Sequence, residues 1–335
     1  MRKLVYLLSV FLVLVMMQTA YAAKRLGPPI EDLQSEPERI RIIVAEAGKK
    51  IEPNRIHFII SERLSGEAPD EVELILDEAT YADVSVGQSY VVAWSYLRKN
   101  RRLPKKWEEN PDGPYTLQTM GMGTPTVFED TPDTRFLFAA GTFTQSGNSG
   151  QQIDALLAQL QREDVRTRGL VISELYLRPD LTEAMSPVQV ELLKSTMLTQ
   201  DFKPLHRDFI FRTASRLPPD QTSPWLAEEL RKTIIFHGTQ YDLGSFIPSL
   251  VRTAARGLQQ AGAPSDVDML SSLLYSNSPG ASKAALAAMN HLDPGATLVQ
   301  AELALERGWI HSETRRELLI LINRAKNQAA ENKAD

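Results

Sequence analysis

Cysteine is missing from all 335 residues. That absence excludes disulfides, thiolate metal sites, a cysteine nucleophile and a lipid-modified N-terminal cysteine together. Histidine is scarce: His57, His206, His237, His291 and His311 are the five, and no two stand at the i, i+4 spacing that aims two imidazoles at one ion. No zinc signature exists, and neither a metal nor a cofactor is expected. Long apolar runs are also few, and past the N-terminus no segment is long enough to span a bilayer. Excess positive charge is lacking as well, since 37 basic residues face 42 acidic ones for a net charge of −5. Such a chain repels a polyanion overall, so nucleic acid is excluded as the expected partner.

What is present is an ordinary folded composition, 43% hydrophobic and 24% charged, in a chain too long for one small core. The chain opens with Arg2 and Lys3, an apolar stretch from Leu4 to Met17, and the small residues Ala20 and Ala22 on either side of Tyr21. This pattern predicts a secretory signal over residues 1–22, cleaved after Ala22, and a periplasmic or secreted mature protein. Residues 23–38 contain Gly27, Pro28 and Pro29 with little periodic pattern, which predicts an extended lead-in.

From 39 to 144 the grammar is that of strands. Ile40–Ala45, Ile56–Ile60, Val72–Leu76, Tyr90–Leu97, Tyr115–Met120 and Arg135–Ala139 are short runs rich in Val, Ile, Tyr and Phe, separated by Gly, Pro, Asp and Asn. A small β-barrel of five or six strands is expected. Within it, Ile56-His57-Phe58-Ile59-Ile60, Leu64-Ser65-Gly66, Val72-Glu73-Leu74 and Val86-Gly87-Gln88-Ser89-Tyr90 follow one another in an order that resembles the netrin-like module, an OB-type barrel. The resemblance implies a fold rather than an activity. Gly66 and Gly87 are the expected turn residues.

The small polar run Gln145–Gly150 predicts a linker. Beyond it, residues 151–325 read as helices, with 326–335 as a frayed tail. Leu175, Leu217, Leu258 and Leu292 close four segments at intervals of 42, 41 and 34 residues. At seven, four and three positions before each leucine stand Arg168, Val171, Ile172; Ile210, Thr213, Ala214; Val251, Ala254, Ala255; and Ala285, Ala288, Met289. A stripe of this kind on a two-helix unit is buried only when neighbouring units stack. Asp164-Val165-Arg166 leading to Leu175, and Pro279–Lys283 leading to Leu292, resemble HEAT-type α-solenoids, which implies scaffolding and protein contacts. An irregular helical bundle is the other reading of the same periodicity. The fold class expected is therefore multi-domain α and β: a small N-terminal OB-like β-barrel followed by an all-α HEAT-like array.

One loop stands out in this acidic chain. Arg98, Lys99, Arg101, Arg102, Lys105 and Lys106 place six cations in nine residues, followed at once by Trp107. They suit a contact with an anionic lipid, an acidic glycan or an acidic protein face, and equally a solvated loop that discourages strand pairing. Gly147-Asn148-Ser149-Gly150 is similar to the nucleophile loop of chymotrypsin-like proteases, but His57 is the one upstream histidine and lacks that family's surroundings, so Ser149 reads as linker before nucleophile. His206-Arg207-Asp208 echoes a kinase catalytic loop without any of its companions. The leading expectation is a non-enzymatic envelope protein that binds a protein partner through its helices, the alternative a lipid or glycan binder acting through the 98–106 loop, and the third a hydrolase using Ser149.

Overall fold

The computed structural model describes residues 28–96, 115–117, 119–120, 124–143, 149–162, 165–222 and 225–331. The predicted signal (1–22), the basic loop from Arg98 to Trp107, and Gly147 and Asn148 lie outside the described residues. The chain forms two compact units, one holding residues 28–88 and 92–127 and the other 89–91 and 128–331 among those described.

The first unit is a small, mostly antiparallel sheet. Its strands are β1 (Arg41–Ile51), β2 (Arg55–Ser65), β3 (Glu71–Ile75), β4 (Ser89–Tyr96) and β5 (Tyr115–Leu117). They run in the order β1-β2-β3-β5-β4, with β3 and β5 parallel and the other registered pairs antiparallel. β1 also pairs with β4, and at that edge Gly87 N donates to Ala47 O at 2.7 Å while Ala47 N donates to Gln88 O at 2.9 Å. Register shifts at Ile42/Ile43 and Val44/Ala45 re-aim the side chains of β1, which is why four successive residues, Ile42 to Ala45, are buried where a regular strand would alternate. Phe58, Leu74 and Trp94 complete this core, and the Arg41 guanidinium covers the Trp94 ring at 5.7 Å. Between β3 and β4 lies the one-and-a-half-turn helix α2 (Glu78–Asp83), capped by Asp77, whose carboxylate accepts from Thr80 N at 3.0 Å and Thr80 Oγ1 at 2.6 Å. Burial opposes the charge on Asp77, but these hydrogen bonds outweigh it and hold its pKa below the ordinary aspartate value.

Two expectations for this half are corrected. Residues 23–38 are not wholly extended, because Pro29–Gln34 forms helix α1: Pro29 supplies the fixed φ of a first helical position, and Ile30 and Leu33, three apart, share the buried face. Arg135–Ala139 is not a strand either, because Pro132–Phe138 is helix α3. Thr131 caps it by accepting from Thr134 N at 3.1 Å, and Pro132 opens it, so the cap decides what the short apolar run leaves ambiguous.

The short strands β6 (Thr119–Met120) and β7 (Thr124–Pro125) pair antiparallel, and β8 (Val127–Glu129) leads into the second unit. The division falls at Val127/Phe128 and not in the 145–150 run. The reason is local: Phe128 stacks on Phe138 at 5.2 Å, Gln159 donates to Thr131 Oγ1 at 3.1 Å, and Arg162 pairs with Glu129, so this segment packs with helix α4 (Ser149–Leu160), which itself begins at Ser149 inside the expected linker.

The helical unit continues with α5 (Val165–Leu177), α6 (Pro179–Glu183), α7 (Pro187–Thr199), α8 (Pro204–Ala214), α9 (Pro219–Thr222), α10 (Trp225–His237), α11 (Ile247–Ala261), α12 (Val267–Ser271), α13 (Pro279–Leu292), α14 (Pro294–Arg307) and α15 (Ser312–Glu331). Six of these open on proline, where the missing N–H is not required. One layer runs α5-α8-α11-α13-α15, each helix packed on the next; α4, α10, α12 and α14 lie against it, and α7 packs on α4. All twelve stripe residues from Arg168 to Met289 are buried, as are Leu175, Leu217 and Leu258, while Leu292 is half-buried. Alanines at the α11/α13 contact, Ala254, Ala255, Ala285 and Ala288, allow the helices to approach closely. Helix α15 runs on to Glu331, so residues 326–331 of the expected tail are helical, and 332–335 lie outside the described residues. Among the described residues no helix is long and apolar enough to cross a membrane.

Candidate functional site

The layer that buries the stripe turns another face outward, and its polar groups form a connected ladder. On α5, Tyr176 stacks on Phe209 of α8 at 4.5 Å and 10°. Arg212, one turn further along α8, reaches Asp208 Oδ2 at 3.1 Å, Tyr176 OH at 3.4 Å and Ser249 Oγ of α11 at 3.5 Å. Ser249 Oγ donates to Asp208 Oδ2 at 3.3 Å, and Arg252 Nη2 donates to Ser249 at 3.2 Å. Arg216, just beyond α8, donates to Tyr176 O at 2.5 Å with its guanidinium 5.1 Å above the Tyr176 ring. Burial works against the charge on Arg212, yet the Asp208 carboxylate and the Tyr176 hydroxyl raise its pKa above the ordinary arginine value, so it stays a fixed cation.

The ladder opens into two adjoining clefts. A cavity of about 440 Å³ between α11 and α13 is lined by Arg252, Arg256, Gln259, Gln260 and Lys283 over a floor of Gly280, Ala284 and Ala287. A second, of about 320 Å³ between α13 and α15, shares Lys283 and Ala287 and adds Asn290, Glu317, Arg324 and the apolar Leu286, Ile320 and Leu321. The small floor residues leave the room, and a Cβ on Gly280 would meet Arg252 Cδ at 3.5 Å. Lys283 stands 3.3 Å from Glu313 and 3.5 Å from Glu317. Arg256 and Arg324, by contrast, have no carboxylate within 4 Å and no hydrogen bond among the described residues, and Arg252 has Ser249 alone.

Ser149 is the first residue of α4, and His57 sits in β2 with Nε2 3.0 Å from Glu71 Oε2. The two belong to different units, and no hydrogen bond joins them among the described residues. Asp208 of the kinase-like triplet is a buried helix residue paired with Arg212. Asp293, beside His291, caps α14 by accepting from Ala296 N at 2.9 Å, and His311 Nδ1 accepts from Glu313 N at 3.3 Å. Among the described residues no three His, Asp or Glu side chains converge as metal ligands. The groove cations are what the sequence reasoning missed; the available signal was the Arg252/Arg256 pair, each one residue past a stripe position.

His206 lines a third cavity of about 430 Å³ with Arg168, Asp201, Phe202, Lys203 and Pro204, and its Nε2 lies 3.1 Å from where a Cβ on Gly169 would stand. Burial first, and the Lys203 charge second, lower its pKa below the ordinary histidine value; His237 is lowered in the same way by burial and Arg207. A group whose folded pKa is depressed in this sense takes its proton in the unfolded chain first. Stability is therefore fully present above the ordinary histidine pKa of about 6.5 and falls as pH drops through it. Urea midpoints at pH 7.5 and 5.5 are expected to show this loss, and His206→Gln should shrink it; a midpoint unchanged between the two pH values contradicts the assignment.

Comparison with known proteins adds no family to this description: no family model, no curated protein and no solved structure matches the chain.

Proposed function

We propose that this is an exported, non-enzymatic interaction protein of the cell envelope, in which a HEAT-type helical array holds a protein partner and an OB-type module precedes it. The observation that carries the reading is the single layer of successive helices whose stripe is buried while two clefts stay open along its other side. Arrays built this way use such extended faces for binding. Support for the OB-type module comes from the strand order β1-β2-β3-β5-β4 with β1 also meeting β4, and from the helix between β3 and β4. Export rests on the signal-like N-terminus alone.

Cross-linking in living cells, purification and mass spectrometry are expected to return one near-stoichiometric partner. A folded protein that returns none overturns the reading. A second reading has one observation in its favour: the basic residues 98–106 fall in the β4–β5 connection, which in OB-type modules is a binding loop. Recognition of an anionic lipid or glycan there predicts that reversing Arg101, Arg102, Lys105 and Lys106 releases the protein from the envelope fraction, and unchanged fractionation rejects it.

A further inference from the structure

We infer that the groove along α11, α13 and α15 is the binding surface, and that its occupant is an extended, acidic protein segment; this rests on the scaffold reading above and names its partner chemistry. Four cations line the two adjoining clefts, Arg252, Arg256, Lys283 and Arg324; Glu313 and Glu317 both face Lys283, which leaves the three arginines as the local excess. This excess sits in a chain of net charge −5, so it is a local concentration and not the general character of the surface. Arg252 and Arg256 stand at i, i+4 on one helix, an arrangement of like charges that costs the helix about 0.2–0.5 kcal/mol when nothing neutralises it. Here nothing within the described protein does so for Arg256 or Arg324. A carboxylate-bearing ligand supplies the missing partners.

The spacing selects the kind of anion. Packed helices lie roughly 8–10 Å apart, and the cations come from three of them, Arg252, Arg256 and Lys283 around one cleft and Lys283 and Arg324 around the next, a row longer than one phosphate. A segment extended as polyproline II advances about 3.1 Å per residue with three residues per turn, so carboxylates three residues apart lie on one side of it at that interval. Between the cations the groove offers apolar Leu286, Ile320 and Leu321 and the amide side chains of Gln259, Gln260 and Asn290, which suit the apolar side chains and backbone of a peptide better than a glycan or a lipid headgroup.

The test uses the full mature chain and two fluorescein-labelled synthetic peptides, four repeats of Glu-Val-Thr and four repeats of Lys-Val-Thr, read by fluorescence anisotropy. Saturable binding of the glutamate peptide, weakening with salt, is expected, with none for the lysine peptide. Arg256→Glu with Arg324→Glu, both exposed positions, should weaken it about tenfold or more, with an unchanged circular dichroism melt; Arg315→Glu with Arg316→Glu, exposed on α15 and outside the lining of both clefts, should leave it unchanged. No saturable binding, or equal binding by the Arg256/Arg324 variant, overturns the assignment. So does binding of phosphatidylglycerol vesicles through these two arginines without binding of the peptide. In cells, a partner whose capture survives the Arg256/Arg324 variant removes the groove and leaves the scaffold, whereas peptide binding by the groove with no cellular partner removes the scaffold and leaves the groove.

Discussion

Phe211→Ala is expected to destabilise the helical unit by about 3–5 kcal/mol, because a fully buried aromatic ring loses its transfer free energy and leaves a cavity that the stack closes only in part. Phe211 is fully buried in α8, flanked by Ile210, Thr213 and Ala214, which are also buried. α8 sits between α5 and α11, so a void there is walled by three helices and cannot be filled by one side chain swinging in. With a total stability of about 5–15 kcal/mol for a typical domain, this loss is a large share of the whole. Guanidinium unfolding followed by far-UV circular dichroism measures it. Phe209→Ala is the control on the same helix: Phe209 is half-buried and stacks on Tyr176 at 4.5 Å, so loss of its partial burial and its stacking should cost roughly 2 kcal/mol. Equal effects of the two changes would mean that the interior face of α8 has been assigned to the wrong side.

That comparison shows how far the periodicity carries. Val171, Ile210, Val251 and Ala285 mark one face of four helices because a buried helical face repeats every three or four residues, and each of them is buried. The same reading cannot separate short elements, in which period and cap compete. Phe136-Leu137-Phe138 has the length and composition of a strand, and Thr131 with Pro132 turns it into a helix. Ile30 and Leu33 were masked by two prolines that start their helix instead of preventing one. The groove was illegible for a different reason. Arg252 and Arg256 read along the chain as ordinary solvated cations, and their meaning arises only when α13 lays Lys283 beside them and α15 adds Arg324, contacts of which one-dimensional spacing holds no trace.

The two turn glycines give the other large expected effect and a sharper lesson. Gly66 and Gly87 share a left-handed backbone, φ 76° and 82°, and any L-residue at either pays about 1–2 kcal/mol for it. Their surroundings differ. A Cβ on Gly87 meets nothing within 4 Å, whereas on Gly66 it would lie 2.5 Å from the Pro37 carbonyl oxygen and 3.3 Å from that of Ile40. Both are backbone atoms at the threshold of β1, where Ile42 is registered against Ser65, so relief requires moving the strand and not a side chain. Gly87→Ala should therefore cost the backbone penalty alone, and Gly66→Ala roughly 3 kcal/mol or more. Asparagine separates the two causes, since its short polar side chain tolerates the left-handed region. Gly87→Asn is expected to recover most of the loss in thermal midpoint, and Gly66→Asn to recover little, because the carbonyl of Pro37 excludes any Cβ whatever its conformational preference. Full recovery at both sites would place the whole cost in φ and leave the close approach of the two carbonyls without energetic weight.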